Sequence, residues 1–431
     1  MTNKSPKALP ALVYANSRGD IFDYPGLNMA GRRGLQFERV DTQDLIPLPE
    51  GSELFVLPGT VPVAWDPYQD DFVHFQPDPG TSRGEVNAVA AFMAPAYTQT
   101  LLPAFKKKDP DAPPLPLFAY TAVGWWKGRF WVAGFRSDRD RRQDVSGFDP
   151  EKVRRNTLKI LSEKKKNRLI QHLGRCSLTY GCPAAKNLFL GRFEGPLPSS
   201  PVCNARCLGC LSLQEEGGPP ATQDRIGFTP TARELSETAL MHLERVRRGV
   251  VSFGQGCEGE PLMNPGLLAE SVRKIRKACQ RGTINLNTNA SLPGGLIKVI
   301  EAGLDSIRIS MNSVREPYYN AYYRPRGYSF KDVLRSWRVA KKAGLHVSLN
   351  LFVMPGLTDS RAEAEMLAEL IGRFGLDLIQ LRNHNIDPDW YFKRIGFRDE
   401  PGSLGIKGLV RYLKKRFPGL GFGYFNPPIR D

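Results

Sequence analysis

No stretch of this 431-residue chain is apolar for long enough to cross a bilayer: charge or glycine breaks each hydrophobic window after about ten residues, where a span needs about twenty. The N-terminus, Met-Thr-Asn-Lys-Ser-Pro-Lys-Ala-Leu-Pro, has basic residues but no apolar core behind them, which excludes a signal peptide and leads us to expect the cytoplasm. Cysteine is scarce as well, seven in all and none after Cys279. Clustered around one loop, they fit a reducing compartment and a cofactor better than a disulfide framework, and no cysteine-rich C-terminal extension is expected. Acidic residues are outnumbered, 44 against 60 Lys and Arg, for a net charge of +16. Such a balance favours an acidic partner: nucleic acid, an acidic protein or a phosphorylated metabolite. The positive charge is dispersed, with short runs at Lys106 to Lys108, Arg139 to Arg142, Lys164 to Lys166 and Lys414 to Arg416 that read as solvated surface.

Three of the few cysteines are concentrated in Pro-Val-Cys203-Asn-Ala-Arg-Cys207-Leu-Gly-Cys210. The C-x3-C-x2-C spacing reads as a three-thiolate iron–sulfur site. A cuboidal [4Fe–4S] cluster has four irons, so three thiolates leave the fourth iron open to an external ligand, which implies chemistry at the cluster rather than electron transfer alone. Zinc is the rival. It requires four ligands, normally from two paired knuckles, and neither a second C-x2-C nor an H-x3-H lies near residue 210. Buried core cysteines are the other alternative, but Asn204, Arg206 and Gly209 are poor core neighbours.

Residues 1–148 have short aromatic or alternating segments (Ala11 to Tyr14, Leu54 to Leu57, Val86 to Phe92, Leu115 to Ala122, Arg129 to Phe135) between glycines and prolines, which predicts a β-rich accessory domain. Trp126-Lys-Gly-Arg-Phe130 reads as a hairpin turn, with Trp125, Trp126 and Trp131 on a sheet face. Residues 149–194 read as a linker helix, Glu151 to Leu173, followed by an approach to the cysteines. From 195 to 385 strands and helices alternate. Val250 to Phe253, Thr283 to Asn287, Ser306 to Ser310, His346 to Val353 and Leu376 to Leu381 read as strands, and one more just before Cys203 makes six βα units. The expected fold class is therefore α/β, a partial (β/α)6 TIM-type barrel, with 386–431 as a C-terminal α/β extension. In such barrels ligands meet the carboxyl ends of the strands.

After the second of these strands comes Gly254-Gln-Gly-Cys257-Glu258-Gly259-Glu260-Pro261-Leu262. Its glycines allow a tight turn and close backbone approach, and Glu260 offers a carboxylate suited to a small cationic amine. The cysteine triplet, the Gly259-Glu260-Pro261 turn and the βα units in this order resemble the radical S-adenosylmethionine (SAM) superfamily over roughly residues 195–385. The resemblance implies that Cys203, Cys207 and Cys210 ligate one [4Fe–4S] cluster and that SAM binds its open iron, with Glu260 holding the methionine amine. It implies SAM contacts at Thr288-Asn289-Ala290, where alanine replaces the family's glycine, at Ser310 and Asn312, at Asn350, and at Arg382 with Asn383. An external one-electron reductant of flavodoxin or ferredoxin type would feed the cluster, SAM would be cleaved to a 5′-deoxyadenosyl radical, and that radical would abstract hydrogen from a substrate.

Cys257, inside the glycine turn, is a candidate hydrogen donor or covalent intermediate. Cys176 and Cys182 are candidate ligands of an auxiliary cluster, and Cys279 reads as core. Tyr318, Tyr319, Tyr322 and Tyr323 with Arg324 and Arg326 form a basic aromatic stretch suited either to an extended ligand or to packing over the barrel mouth. The substrate stays open: a protein or peptide is marginally preferred, RNA is the alternative within the enzyme class, and a zinc-bearing nucleic-acid-binding protein is the alternative outside it. No membrane partner is expected.

Overall fold

The computed structural model describes residues 9–76, 85–142 and 144–431; the N-terminal segment read above for a signal peptide lies mostly outside them. Among the described residues no helix is long and apolar enough to cross a membrane.

The N-terminal region is a thirteen-stranded sheet whose pairings are all antiparallel. The hairpin predicted at Trp126 is present: Trp126 pairs with Arg129 across a two-residue turn in which both Lys127 (φ 51°) and Gly128 (φ 73°) are left-handed, as a type I′ turn requires. Leu115 to Ala122 departs from expectation. It forms no strand and makes one isolated bridge, Thr121 to Ala91, because Pro116 near its start, after Pro113 and Pro114, cannot donate to a ladder.

Three helices follow, α1 (Pro150–Glu163), α2 (Arg168–Leu178) and α3 (Pro183–Leu190), where periodicity alone predicts a single one. The break has a local cause. Asn167 leaves helical geometry and its side chain caps α2 by accepting from Ile170 N–H, while Pro183 starts α3 at a position that loses no hydrogen bond.

The second sheet has seven parallel strands in sequential order: β1 (Glu194–Pro196), β2 (Val250–Phe253), β3 (Thr283–Thr288), β4 (Ser306–Met311), β5 (His346–Val353), β6 (Leu378–Asn383) and β7 (Gly421–Gly423). The first six are the predicted units, and β7 continues the sheet. Between them run α4 (Ala232–Leu243), α5 (Pro265–Ala278), α6 (Pro293–Glu301), α7 (Glu316–Tyr323), α8 (Phe330–Lys342), α9 (Arg361–Phe374), α10 (Pro388–Ile395) and α11 (Ile406–Arg416). The outward residues Val251, Phe253, Ile284, Leu286, Ile307, Ile309, Val347, Leu349, Ile379 and Leu381 join the helices in one core.

The alternate residues face inward, and they are polar. Asn285 donates to Ser252 Oγ (3.2 Å) and Asn287 Oδ1 (2.8 Å), Arg308 donates to Gln380 (3.0 Å), and Asn426, beyond β7, donates to Glu194 Oε1 (2.8 Å) and Asn287 Oδ1 (3.2 Å). A closed TIM barrel fills this space with branched apolar side chains. Here it is a polar lumen.

The N-terminal sheet lies across the ends of β5 and β6. Gln99 N–H donates to Asn383 Oδ1 (2.9 Å), Gly34 N–H to Pro355 O (2.9 Å), and Arg33 pairs with the buried Asp359. Lys107, from a run expected to be solvated, is instead largely buried and donates to the fully buried Asp387 (2.8 Å). Asp387 also accepts from Leu115 N–H (3.0 Å) and caps α10. Removing one partner of a buried ion pair strands the other charge, at about 3–5 kcal/mol. Asp387→Ala should therefore lower unfolding free energy by about 3 kcal/mol in denaturant titration, and amide exchange should rise first where the two sheets meet.

Candidate active site at the strand ends

The loop carrying Cys203, Cys207 and Cys210 leaves β1 and runs across the ends of β2 and β3. Its anchor is Glu258, a residue to which sequence reasoning assigned no role. One carboxylate oxygen accepts from Ser199 N–H (2.7 Å), Ser200 N–H (3.1 Å) and Ser199 Oγ (3.0 Å), the other from Gly254 N–H and Gln255 N–H (both 2.7 Å). Burial pushes this carboxyl up to about 7, while its donors pull it down. Next to it the chains touch: Gly259 N–H donates to Ser200 O (2.7 Å) and Glu260 N–H to Val202 O (2.9 Å), and a Cβ on Gly259 would lie 2.2 Å from Val202 O. Only glycine fits there.

Glu260 is equally buried and likewise pushed up to about 7 by burial. It accepts from Leu262 N–H (3.0 Å), Thr288 Oγ1 (2.5 Å) and Asn289 N–H (2.8 Å). A carboxylate offers about four acceptor positions, so one remains. Asn289 donates onward to Asn204 Oδ1 (2.9 Å), between the first two cysteines. Ala290, the departure from the family pattern, has φ 57°, so the turn keeps the left-handed geometry glycine would give it.

The three cysteines are partly buried. Burial pushes the Cys203 thiol up to about 11 and the Cys207 thiol well above its ordinary value, each raised further by neighbouring acid groups, Glu260 and Cys210 for Cys203 and the other two cysteines for Cys207. Arg225 Nη2 lies 3.2 Å from Cys210 Sγ. Thiolates so placed require positive charge among them. Their spacing suits several metal centres rather than one, because among the described residues the one group with three His, Cys, Asp or Glu ligand atoms all within 4.8 Å of each other lies elsewhere. The donor set and its spread thus fit a cluster in which each thiolate takes its own iron.

Of the tyrosine stretch, Tyr319, Tyr322 and Tyr323 are buried on α7, and the backbone of that helix accepts from Arg206 N–H (2.9 Å) and Leu208 N–H (3.0 Å) of the cysteine loop. They pack against the loop rather than presenting a docking face. Asn312 ties α7 to α10, donating to Tyr318 O and Tyr391 Oη (both 3.1 Å). Ser310 and Asn350 are register partners on β4 and β5, and Asn350 Oδ1 is buried without a hydrogen-bond partner. Arg382 stacks on Tyr424 at 4.0 Å. Cys257 is buried with its thiol near Cys176 and His172.

Two further groups escaped the sequence reading. His384, just past β6, is buried among Tyr322, Phe352 and Tyr391 with neither ring nitrogen bonded, and burial pushes it down to about 3, so it is neutral. Arg308 Nε, in the lumen, is buried and unpaired; burial, and then Arg382, push this guanidinium down to about 10. The only available signal for either was inward register, which requires the strand boundaries.

Glu258→Gln would turn an amide N–H2 toward at least two backbone donors, each stranded at about 1–3 kcal/mol. Iron retained per chain after anaerobic gel filtration should fall severalfold, with a lowered Tm.

The chain was compared with known proteins. The Radical SAM superfamily family model matches residues 197–369. A probable GTP 3′,8-cyclase of Aeropyrum pernix is 29% identical over 187 residues, 43% of this chain and 49% of that protein, so the chain spans about half the length of this relative. Among solved structures, a maturase of the [FeFe]-hydrogenase overlaps 64% of this chain and 66% of its own (TM-score 0.38, 15% identity), and methylornithine synthase 65% and 77% (0.36, 17%). The family match sets aside the zinc-bearing nucleic-acid-binding alternative. Behind its N-terminal β-rich region, the chain thus carries a Radical SAM superfamily domain over residues 197–369.

Proposed function

We propose that Cys203, Cys207 and Cys210 hold one [4Fe–4S] cluster with an open fourth iron, that SAM binds against the Gly259-Glu260-Pro261 turn, and that the polar lumen takes a substrate bearing a carboxylate or phosphate. When bound, the cluster and SAM supply reductive carbon–sulfur cleavage and hydrogen abstraction. The observation that carries the reading is the backbone pairing of the cysteine loop to the Gly-Glu-Pro turn, which sets the thiols beside the remaining acceptor of Glu260. An α-ammonium group is the natural partner of that acceptor. Asn350 and Ser310 face the same space from β5 and β4, and Asn289 holds the turn to the loop. Burial of Tyr319, Tyr322 and Tyr323 around the loop keeps water from the thiolates. The reducing setting such a site needs, and an external one-electron donor, favour the cytoplasm.

The substrate class rests on Arg308 and Arg382. Two guanidinium groups near enough to depress the first lie at the lumen, and among the described residues neither has a carboxylate within 4 Å. Glu194, nearby, offsets them only in part. An anion placed between them would complete the charge balance and accept the free Arg308 Nε–H. The name of the Aeropyrum pernix relative, a probable GTP cyclase, supports a phosphate-bearing substrate, and an acidic peptide or a nucleotide of RNA fits the same chemistry.

Anaerobically purified protein should be brown, contain about four irons per chain and release 5′-deoxyadenosine from SAM on reduction. Cys207→Ala should lose both iron and cleavage; cleavage that survives it would show other ligands. Arg308→Gln should retain substrate-free SAM cleavage within about twofold, yet lose the stimulation that an active substrate pool gives the parent enzyme. Stimulation left intact would refute the anionic class.

A further inference from the structure

On the outer side of the strand-end site, α2 and the glycine turn after β2 bring three soft donors together. His172 and Cys176 are four residues apart on one face of α2, and His172 Nε2 lies 3.6 Å from Cys176 Sγ. Cys257 reaches them from the turn, so that the imidazole nitrogen and both sulfurs fall within 4.8 Å of one another. Cys176 and Cys257 are buried in a small apolar nest with Ala185, against which Tyr180 and Cys182 pack. The local backbone is held firmly: Cys182 N–H donates to Cys176 O (3.0 Å) and Ile226 N–H to Cys257 O (2.7 Å). The His172 ring stands edge-on to Phe228, 6.4 Å between centroids.

We propose that His172, Cys176 and Cys257 bind a single zinc-class divalent cation, with the fourth position left to an exogenous ligand and Cys182 packed beside the site. Zinc takes sulfur at about 2.3 Å and imidazole nitrogen at about 2.0–2.1 Å, so tetrahedral ligand atoms sit roughly 3.5–3.8 Å apart. The observed 3.6 Å between Nε2 and Sγ is that spacing. A cuboidal cluster does not fit, because each of its thiolates binds a different iron and the donors would stand farther apart. Binding displaces the thiol protons to solvent and requires no redox partner. The ion would fasten α2 to the residue preceding Glu258, and thereby stiffen the rim on which the strand-end site is built. The site does not depend on the radical SAM reading.

The test is zinc binding to the full-length chain. In a Cys203→Ala/Cys207→Ala/Cys210→Ala variant, one zinc per chain should remain, and adding His172→Gln, Cys176→Ser or Cys257→Ser should weaken it at least tenfold. Because these variants could fail to fold, zinc X-ray absorption on the unmutated, cluster-loaded enzyme provides an independent reading: a shell of sulfurs near 2.3 Å with one imidazole near 2.0 Å. Three outcomes overturn the proposal: no zinc in either protein, a zinc shell of oxygens, or two thiols lost to titration without metal, which would make Cys176 and Cys257 a disulfide pair.

Discussion

The carboxylate of Glu258 is the constraint on which the strand-end architecture depends. It gathers five donors from two segments far apart in the chain, Ser199 and Ser200 at the exit of β1 and Gly254 and Gln255 in the turn after β2, in a place shielded from water. Gly259 follows directly and lets the cysteine loop approach the turn more closely than any side chain would permit. Glu260 then passes the connection to Thr288 and Asn289, and Asn289 returns it to Asn204 inside the cysteine loop. Three strand ends and one loop are thus closed into a ring of buried hydrogen bonds. Each bond is modest alone, but an unmet donor in such surroundings is costly, which makes the ring cooperative.

The lumen shows the opposite economy from a packed barrel. Apolar residues of β2 to β6 are committed to the outer helices, and the interior is left to Ser, Asn, Gln, Arg and Glu. Asn426 occupies one part of it and the N-terminal sheet spans the edge at β5 and β6, and Arg308 Nε is held away from bulk water. A guanidinium with a free donor in such a space is a binding site more readily than a structural brace, since a brace would have its carboxylate.

Much of this was legible beforehand, unevenly. Val250–Phe253 and His346–Val353 match their predicted strands residue for residue, the first because Gly249 and Gly254 bracket it and the second because an apolar run begins just after Gly344. The helix predicted over Glu151 to Leu173 became two, since the capping side chain of Asn167 is polar in either conformation and periodicity does not register it. Ala290 reads as a weakened motif, yet the surrounding turn imposes the left-handed backbone on it. Lys107 reads as surface within a lysine run and is buried by a partner 280 residues away.

The sequence by itself determined the chemistry whose parts are chain neighbours: the thiol triplet, the Gly-Glu-Pro turn, and the order of strands that puts both at one edge of a parallel sheet. Spacing within a loop is set by covalent geometry, and inward or outward facing by strand period, so neither requires knowledge of distant contacts. Only the tertiary structure decided that Glu258 is the fastener, that Arg308 and Arg382 share the lumen, and that Cys257 meets His172 and Cys176. Those relations join segments far apart in the chain, and what brings them within a few ångströms is the packing of the helices on the sheet, which no local pattern records.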